Sequence, residues 1–260
     1  MVRIESLRMT NRSNASHIGS SLSCTDILAV IHSFFVFKDT DKRQKNVFLM
    51  SKGHAASAYY ATLALKDFFS LDVLKTYCEN GSKLGGHVTA SSEMGVALST
   101  GSLGHAFPYG MGIALGNKIE NVNSKVFVLI SDGECNEGTT WESALISSHN
   151  ELGNLIVIID RNRIQSLGFT EDTLVLEPLF EKWESFGWEV ISIDGHDHQE
   201  IHKALNLSEN VDRKKPLCII ANTVKGKGVD FMENSVDWHY KSPNDDQLHE
   251  AIHQIEALDA

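Results

Sequence analysis

The sequence predicts an α/β fold: a doubly wound, mostly parallel sheet with helices on both faces, built as a single domain over residues 1–260. Three observations predict it. Apolar, largely β-branched runs recur at 47–50, 126–130, 155–159, 188–193 and 216–224, as buried strands require. Stretches with helical spacing separate them, the alternation that builds βαβ units. Several runs end in polar turns, such as Ser131-Asp132-Gly133 and Asp160-Arg161-Asn162. Open parallel sheets bind ligands beyond such strand ends. No repeat or linker interrupts the chain. A nicotinamide-binding reading needs G-x-G-x-x-G after the first strand, and that motif is absent.

Composition narrows the function classes. A chain of 260 residues buries a full core, and its 42% hydrophobic content contains no run long enough to span a membrane. The first residues, MVRIESLRMTNRSNAS, lack the continuous apolar segment of a signal peptide, so a cytoplasmic location is expected. Cys24, Cys78, Cys135 and Cys218 form no CxxC pair and read as reduced thiols. A net charge of −11 argues against a nucleic-acid partner. Any anionic ligand must then be held by local charge, since distant surface acids are screened over about 8–10 Å.

In chain order, residues 1–15 read as a helix. The Gly/Ser-rich segment 14–23 holds His17 in a loop at a helix start, with Ser23 as candidate N-cap. The helix after it carries Ile27, Leu28, Ile31, Phe34 and Phe35 on one side. Strand 47–50 runs into Ser51-Lys52-Gly53-His54, which opens a helix through Tyr59, Leu63 and Leu65. Strand, glycine turn and helix make an anion site, with Lys52 as a point charge and His54 as a hydrogen-bonding group. Residues 67–80 read as one short helix. Residues 81–103 are irregular, and a loop that long is functional or mobile. It contains Gly86-His87 and Thr100-Gly101-Ser102-Leu103-Gly104. Pro108 fits only a first helical turn. Gly110, Gly112 and Gly116 then imply tight packing, against another polypeptide or within the chain.

Strand 126–130 delivers Asp132. A helix with Trp141, Leu145, Ile146 and Leu152 on its apolar side follows, with Gly153 as its stop. Strand 155–159 delivers Asn162. Two parallel strands joined by a helix place both residues at one sheet edge. An acid and an amide there suit Mg²⁺, which takes six oxygens at about 2.0–2.1 Å with phosphate completing the shell. Gly133 lets a phosphate approach the backbone. Alone, the pair reads equally as a turn aspartate and a turn asparagine. A loop at 167–177, a helix at 178–186, a strand at 188–193, a helix at 198–211 and a strand at 216–224 complete the sheet. His196 reads as loop structure, and Lys225-Gly226-Lys227-Gly228 suits a phosphate or polar ring. A C-terminal amphipathic helix, 245–258, presents His249 and His253 to solvent.

These residues resemble a known family. DGExxEGxxWExA from Asp132 and DxNRxQ from Asp160 are similar to transketolases, and Asp-Gly followed at a distance by Asn is the thiamine diphosphate signature. SKGHA at 51–55, TGSLG at 100–104, FGWEV at 186–190 and KGKGV at 225–229 extend the likeness over nearly the whole chain. It departs at Ser131, at Ile18, at His105-Ala106-Phe107-Pro108 and at Tyr240. The chain resembles the separate N-terminal, pyrophosphate-binding subunit of a split transketolase.

The resemblance implies a set of roles. Asp132, Asn162 and the Ile164 carbonyl hold Mg²⁺, or Ca²⁺ or Mn²⁺ in its place. Lys52, His54, Gly101, Ser102, Leu103, Gly133, Glu134, Lys225 and His239 bind thiamine diphosphate, with Asp132 and Asn162 joining them through the metal. His17, His54, His87 and His239 line the reacting end. Glu137 reads equally as a helix-dipole residue and as a proton relay between paired sites. The implied reaction moves a two-carbon ketol unit from a ketose to an aldose, on sugars or sugar phosphates. The glutamate that activates the cofactor's pyrimidine ring belongs to a separate pyrimidine-binding domain. The chain is therefore expected to act with a second subunit carrying the pyrimidine-binding and C-terminal domains, as an α₂β₂ assembly. The alternatives are a subunit of another thiamine diphosphate enzyme, such as a 1-deoxyxylulose-phosphate synthase or oxo-acid dehydrogenase, and a non-catalytic binding subunit. The set His17, His54 and His87 favours ketol transfer.

Overall fold

The computed structural model describes residues 1–38 and 46–258. Five strands pair in parallel: β1 (Val47–Met50), β2 (Val126–Ser131), β3 (Leu155–Arg161), β4 (Glu189–Asp194) and β5 (Leu217–Asn222). Their order across the sheet is β1-β2-β3-β5-β4. The three central strands are buried along both faces, so each reads as an unbroken apolar run. Alternation still sorts their side chains. Phe127, Leu129, Ile156, Ile158 and Ile219 enter one core, while Val126, Val128, Ile130, Val157, Ile159 and Ile220 enter the other.

The first core is closed by α3 (Thr25–Phe34), α4 (Ala56–Leu65) and α9 (His198–Asn206); the second by α5 (Ala106–Ile119), α6 (Gly138–His149) and α8 (Leu179–Ser185). A third cluster joins α1 (Val2–Ser13), α2 (Ile18–Ser23) and α10 (Asp245–Leu258) through Leu7, Ile18, Leu22, Met232, Trp238 and Ile255. Parallel register sets Ser131 beside Asp160, Asp160 beside Ala221 and Arg161 beside Asn222. The polar strand ends therefore meet at one edge, as expected.

Several local expectations change. Residues 18–23 form a buried helix, α2, rather than a loop. Ser23 ends it and caps nothing: its hydroxyl donates to Ser20 O and to Asp160 Oδ2. The residue before α3 is Cys24. Residues 67–80 hold only a 3₁₀ turn, Leu71–Thr76. The long loop 81–103 is anchored, since Leu84, Val88, Met94 and Val96 are buried in the first core. The loop at 167–177 contains a single helical turn, α7 (Thr170–Thr173).

The inward face of α6 is the largest reversal. Leu145 and Ile146 are 55% and 44% exposed, while Thr140, Ser143, Ala144 and Ser147 are buried. Small residues let this helix lie close to its neighbours, and apolar content alone does not show which side is close-packed. Gly153 lies beyond the helix end, and its reason is packing. A Cβ there would sit 1.8 Å from the Arg213 carbonyl oxygen.

The glycines of α5 divide in the same way. A Cβ on Gly110 would lie 2.7 Å from Val128 Cγ2 and 3.1 Å from Leu49 Cδ1, so this glycine seats the helix on the sheet. Gly112 and Gly116 face open space. Gly110→Leu is expected to destabilise the chain by about 1–3 kcal/mol through overpacking. Gly112→Ala should stabilise it by about 0.5–1 kcal/mol through helix propensity. Urea denaturation of the two variants tests this opposite pair of signs.

Candidate active site

The floor of the site is built first. Lys52, at the end of β1, and Asp160, in β3, are both 0% exposed and form an ion pair. Lys52 Nζ also donates to Ser20 O at 3.0 Å. Asp160 accepts from the Ser23 hydroxyl at 2.6 Å, from the Thr223 hydroxyl and from Asn162 Nδ2 at 3.0 Å. Burial opposes ionisation of this carboxyl, but the Lys52 charge and these hydrogen bonds hold it below its usual range. Burial likewise works against the Lys52 ammonium, and Asp160 raises it above its ordinary value.

One wall carries oxygen. Asp132 follows β2 and is almost wholly buried. Its Oδ1 accepts from Gly133 N at 2.8 Å, and its Oδ2 from Arg163 N at 2.6 Å and Arg161 Nη1 at 3.3 Å. Burial, and then the charge of Asp160, raise its pKa. Asn162 Oδ1 accepts from Ile164 N at 3.1 Å while its amide nitrogen is spent on Asp160. Ile164 O accepts from the buried Lys225 ammonium at 3.0 Å, which also donates to His239 Nδ1 at 2.8 Å. Burial and the nearby Lys52 lower Lys225 to about 8. Asp132, Asn162 and Ile164 border one cavity of about 180 Å³. Three oxygens of these types suit a hard dication. The Ile164 oxygen already accepts from Lys225, so a dication has Asp132 and the Asn162 oxygen as its side-chain ligands and shares or displaces the Lys225 contact to take the third. The residues present therefore fit a Mg²⁺ bound with a diphosphate.

Much of the remaining lining is imidazole. His17 precedes α2 with φ 74°, and its N–H donates to His239 O at 2.9 Å. Its ring centroid lies 5.4 Å from His54, 5.4 Å from His87 and 5.0 Å from His239. Burial and then the neighbouring charges lower His17 to about 4 and His239 to about 3, and hold His54 well below 6.5. Those three rings are neutral at pH 7 and can donate at one nitrogen while accepting at the other. Gly101 brings its loop against His87, since a Cβ there would lie 3.1 Å from His87 Cδ2. Gly101, Leu103 and Gly133 also border the cavity.

Other expected site residues stand elsewhere. Lys52 is not on the cavity surface, because its ammonium is held by Asp160 and Ser20 beneath it. Glu134 is fully buried; its carboxylate accepts from the Ser51 hydroxyl, from Gly104 N at 2.8 Å and from Ser131 N at 3.4 Å. It fastens the 100–104 loop to β2 and does not face the cavity. Lys225 stands behind Ile164 and His239 rather than on the surface. Ser102 and Glu137 are exposed and do not border the cavity, and Glu137 makes no side-chain cap at the start of α6. His196 is structural, bonded to Asp26 and Val224 N. Residue pattern gives Asp160, Ser20 and Gln165 no role in advance. The one signal available for Asp160 is a charged residue continuing an apolar strand run.

Comparison with known proteins agrees with this geometry. The family model described as transketolase, thiamine diphosphate binding domain, matches residues 1–256. The chain is 38% identical over 247 residues to one of the subunits of the apulose-4-phosphate transketolase of Phocaeicola vulgatus, covering 94% of this chain and 87% of that one. It is 33% identical over 259 residues to a 6-deoxy-6-sulfo-D-fructose transketolase subunit of Clostridium sp., covering 98% and 94%. It is also similar to the crystal structure of transketolase from Campylobacter jejuni, with a TM-score of 0.89 and 30% identity, covering 98% of this chain and 41% of that one. Against that longer enzyme the chain spans about two fifths of the length.

Two outcomes are expected of the site. Lys52→Met leaves the Asp160 charge buried without its partner and should cost about 3–5 kcal/mol, whereas adding Asp160→Leu removes that charge but takes the acceptor from Ser23, Thr223 and Asn162, so only part of the loss should be recovered. A double-mutant cycle in urea measures both. The second concerns pH. Unfolded histidine titrates near 6.5, whereas folded His17 and the buried His32 titrate near 4. The unfolded chain then binds more protons, so this stabilisation is complete above about pH 6.5 and declines as pH falls toward 4. Denaturation midpoints at pH 7, 6, 5 and 4 should fall in that order.

Proposed function

Because this chain belongs to the transketolase family, through its thiamine diphosphate-binding domain, we propose that it is one subunit of a split transketolase and spans one domain over residues 1–260. The observation that carries the reading is one cavity lined by Asp132, Asn162 and Ile164 together with four imidazoles. The oxygen wall would hold Mg²⁺ and, through it, the diphosphate. Gly133 and the 101–103 backbone leave room for phosphate oxygens. Bound there, thiamine diphosphate would supply the carbon chemistry for two-carbon ketol transfer between a ketose and an aldose.

The protein's part is binding, orientation and proton handling. His17, His54 and His87 are placed to donate to the donor's carbonyl and hydroxyl oxygens and to return protons in the reverse direction. His239 is oriented by Lys225, whose ammonium gives its Nδ1 a donor and leaves Nε2 for the ligand.

A second polypeptide completes the site in this reading. Asp132 is the only carboxylate among the described residues lining the cavity, and it serves the metal wall. The carboxylate that activates the pyrimidine ring would come from the partner. The relatives from Phocaeicola vulgatus and Clostridium sp. are named as transketolase subunits, which supports a partnered chain. The proposed assembly is an α₂β₂ heterotetramer acting on a sugar or sugar phosphate, in the cytoplasm.

The test is reconstitution with the partner polypeptide, Mg²⁺, thiamine diphosphate and a panel of ketose donors. Activity is expected only from the combined subunits, and full activity from this chain alone would overturn the proposal. Asp132→Ala should weaken Mg²⁺-dependent cofactor binding by more than about 100-fold, beyond the range of outer-shell substitutions. His87→Ala should lower kcat by about 10²–10⁴-fold with a smaller effect on cofactor affinity. The reverse split would move His87 to the phosphate site.

A further inference from the structure

Arg161 lies between the floor aspartate and the wall asparagine, with its side chain 3% exposed. Its guanidinium faces two ways. Nη1 donates to Asp132 Oδ2 at 3.3 Å and to the Thr170 hydroxyl at 2.7 Å. Nη2 donates to Glu171 Oε1 at 2.9 Å and to Glu177 Oε1 at 2.8 Å. The two glutamates in turn hold the backbone of the segment they belong to. Glu171 accepts from Leu176 N at 3.3 Å and Glu177 N at 3.4 Å, and Glu177 accepts from Leu179 N at 2.8 Å. Thr170 N donates to Arg163 O at 2.9 Å, which closes the segment onto the end of β3. One planar group thus joins the cavity carboxylate to the whole of residues 170–179.

Charge makes this arrangement specific. A lone guanidinium beside Asp132 would repel a dication bound to that carboxylate. Here Glu171 and Glu177 offset it, and Arg161 is left to act through geometry. An arginine presents five N–H donors in one plane, and the Nη1 contact at 3.3 Å joins the Gly133 and Arg163 amides in fixing the Asp132 carboxylate.

We infer that Arg161 is a positioning residue that orients the Asp132 carboxylate and couples cation binding to the order of residues 170–179, with Glu171 and Glu177 cancelling its charge toward the cation. The inference rests on Asp132 being the cation's carboxylate. Coupling of this kind is reciprocal: a bound cation steadies the segment, and a steadied segment favours the cation.

Two measurements test it. The first needs no cofactor. In the full chain, Asp132→Asn and Arg161→Met should each speed amide hydrogen exchange across residues 170–179. If only Arg161→Met does so, the segment is not coupled to Asp132 and the inference falls. The second is a Mg²⁺ titration of the reconstituted complex at fixed thiamine diphosphate. Arg161→Met should raise the Mg²⁺ dissociation constant by about 10- to 100-fold, with Arg161→Lys intermediate. Glu171→Gln with Glu177→Gln, which removes the charges that offset Arg161, should raise it too. Variants that lose thermal stability but keep the wild-type Mg²⁺ dissociation constant would reduce Arg161 to a structural role and overturn the inference. A wild-type complex that binds no Mg²⁺ would count against the functional reading, and the exchange experiment still decides the coupling.

Discussion

The buried pair of Lys52 and Asp160 is the constraint on which the rest of the site depends. Two charges taken fully out of water are tolerated only when each is answered by the other and by further hydrogen bonds. The answer here comes from four directions: α2 through Ser20 and Ser23, the end of β1 through Lys52, the end of β3 through Asn162 and the end of β5 through Thr223. Satisfying one carboxylate therefore fixes where four segments meet. Asn162 is the chief beneficiary. Its amide nitrogen is committed to Asp160, so its oxygen can turn only one way.

Above that floor, the oxygens and the imidazoles differ in the kind of charge they invite. Asp132 is pushed toward protonation by burial and by Asp160, a tension that a cation relieves. His17, His54 and His239 are kept neutral by burial first and by neighbouring charges second. The net charge of −11 is no obstacle to an anionic cofactor, because the fields that matter act over a few ångströms inside a dehydrated cleft. Lys52 and Lys225 contribute without touching the cavity. One neutralises the floor, and the other backs Ile164 and His239.

Much of this was legible from residue pattern. Central strands buried on both faces leave unbroken apolar runs, so β2 and β3 were found to within two residues of their ends. Asp132, Gly133 and Asn162 came from the strand-end pattern, and the transketolase resemblance singled out Ile164, Gly101, Leu103 and the four histidines; all border one cavity. What misled was the inference from residue type to direction. Leu145 and Ile146 looked like the inner side of α6, yet the inner side is Ser and Ala, because a close-packed helix needs small residues. Lys52 and Glu134 looked like ligand-facing charges. Each instead spends its charge on a buried partner, and nothing local in SKGH or DGE distinguishes the two uses.

The sequence by itself determined the strands, their polar ends and the chemistry those ends can offer, because apolar periodicity and turn residues act over a few neighbouring positions. Only the tertiary structure decided which charges face the cavity and which are consumed beneath it. That choice rests on contacts between residues far apart in the chain, such as Asp160 with Lys52 and Arg161 with Glu177, whose burial and partners exist only once the sheet and its helices have closed.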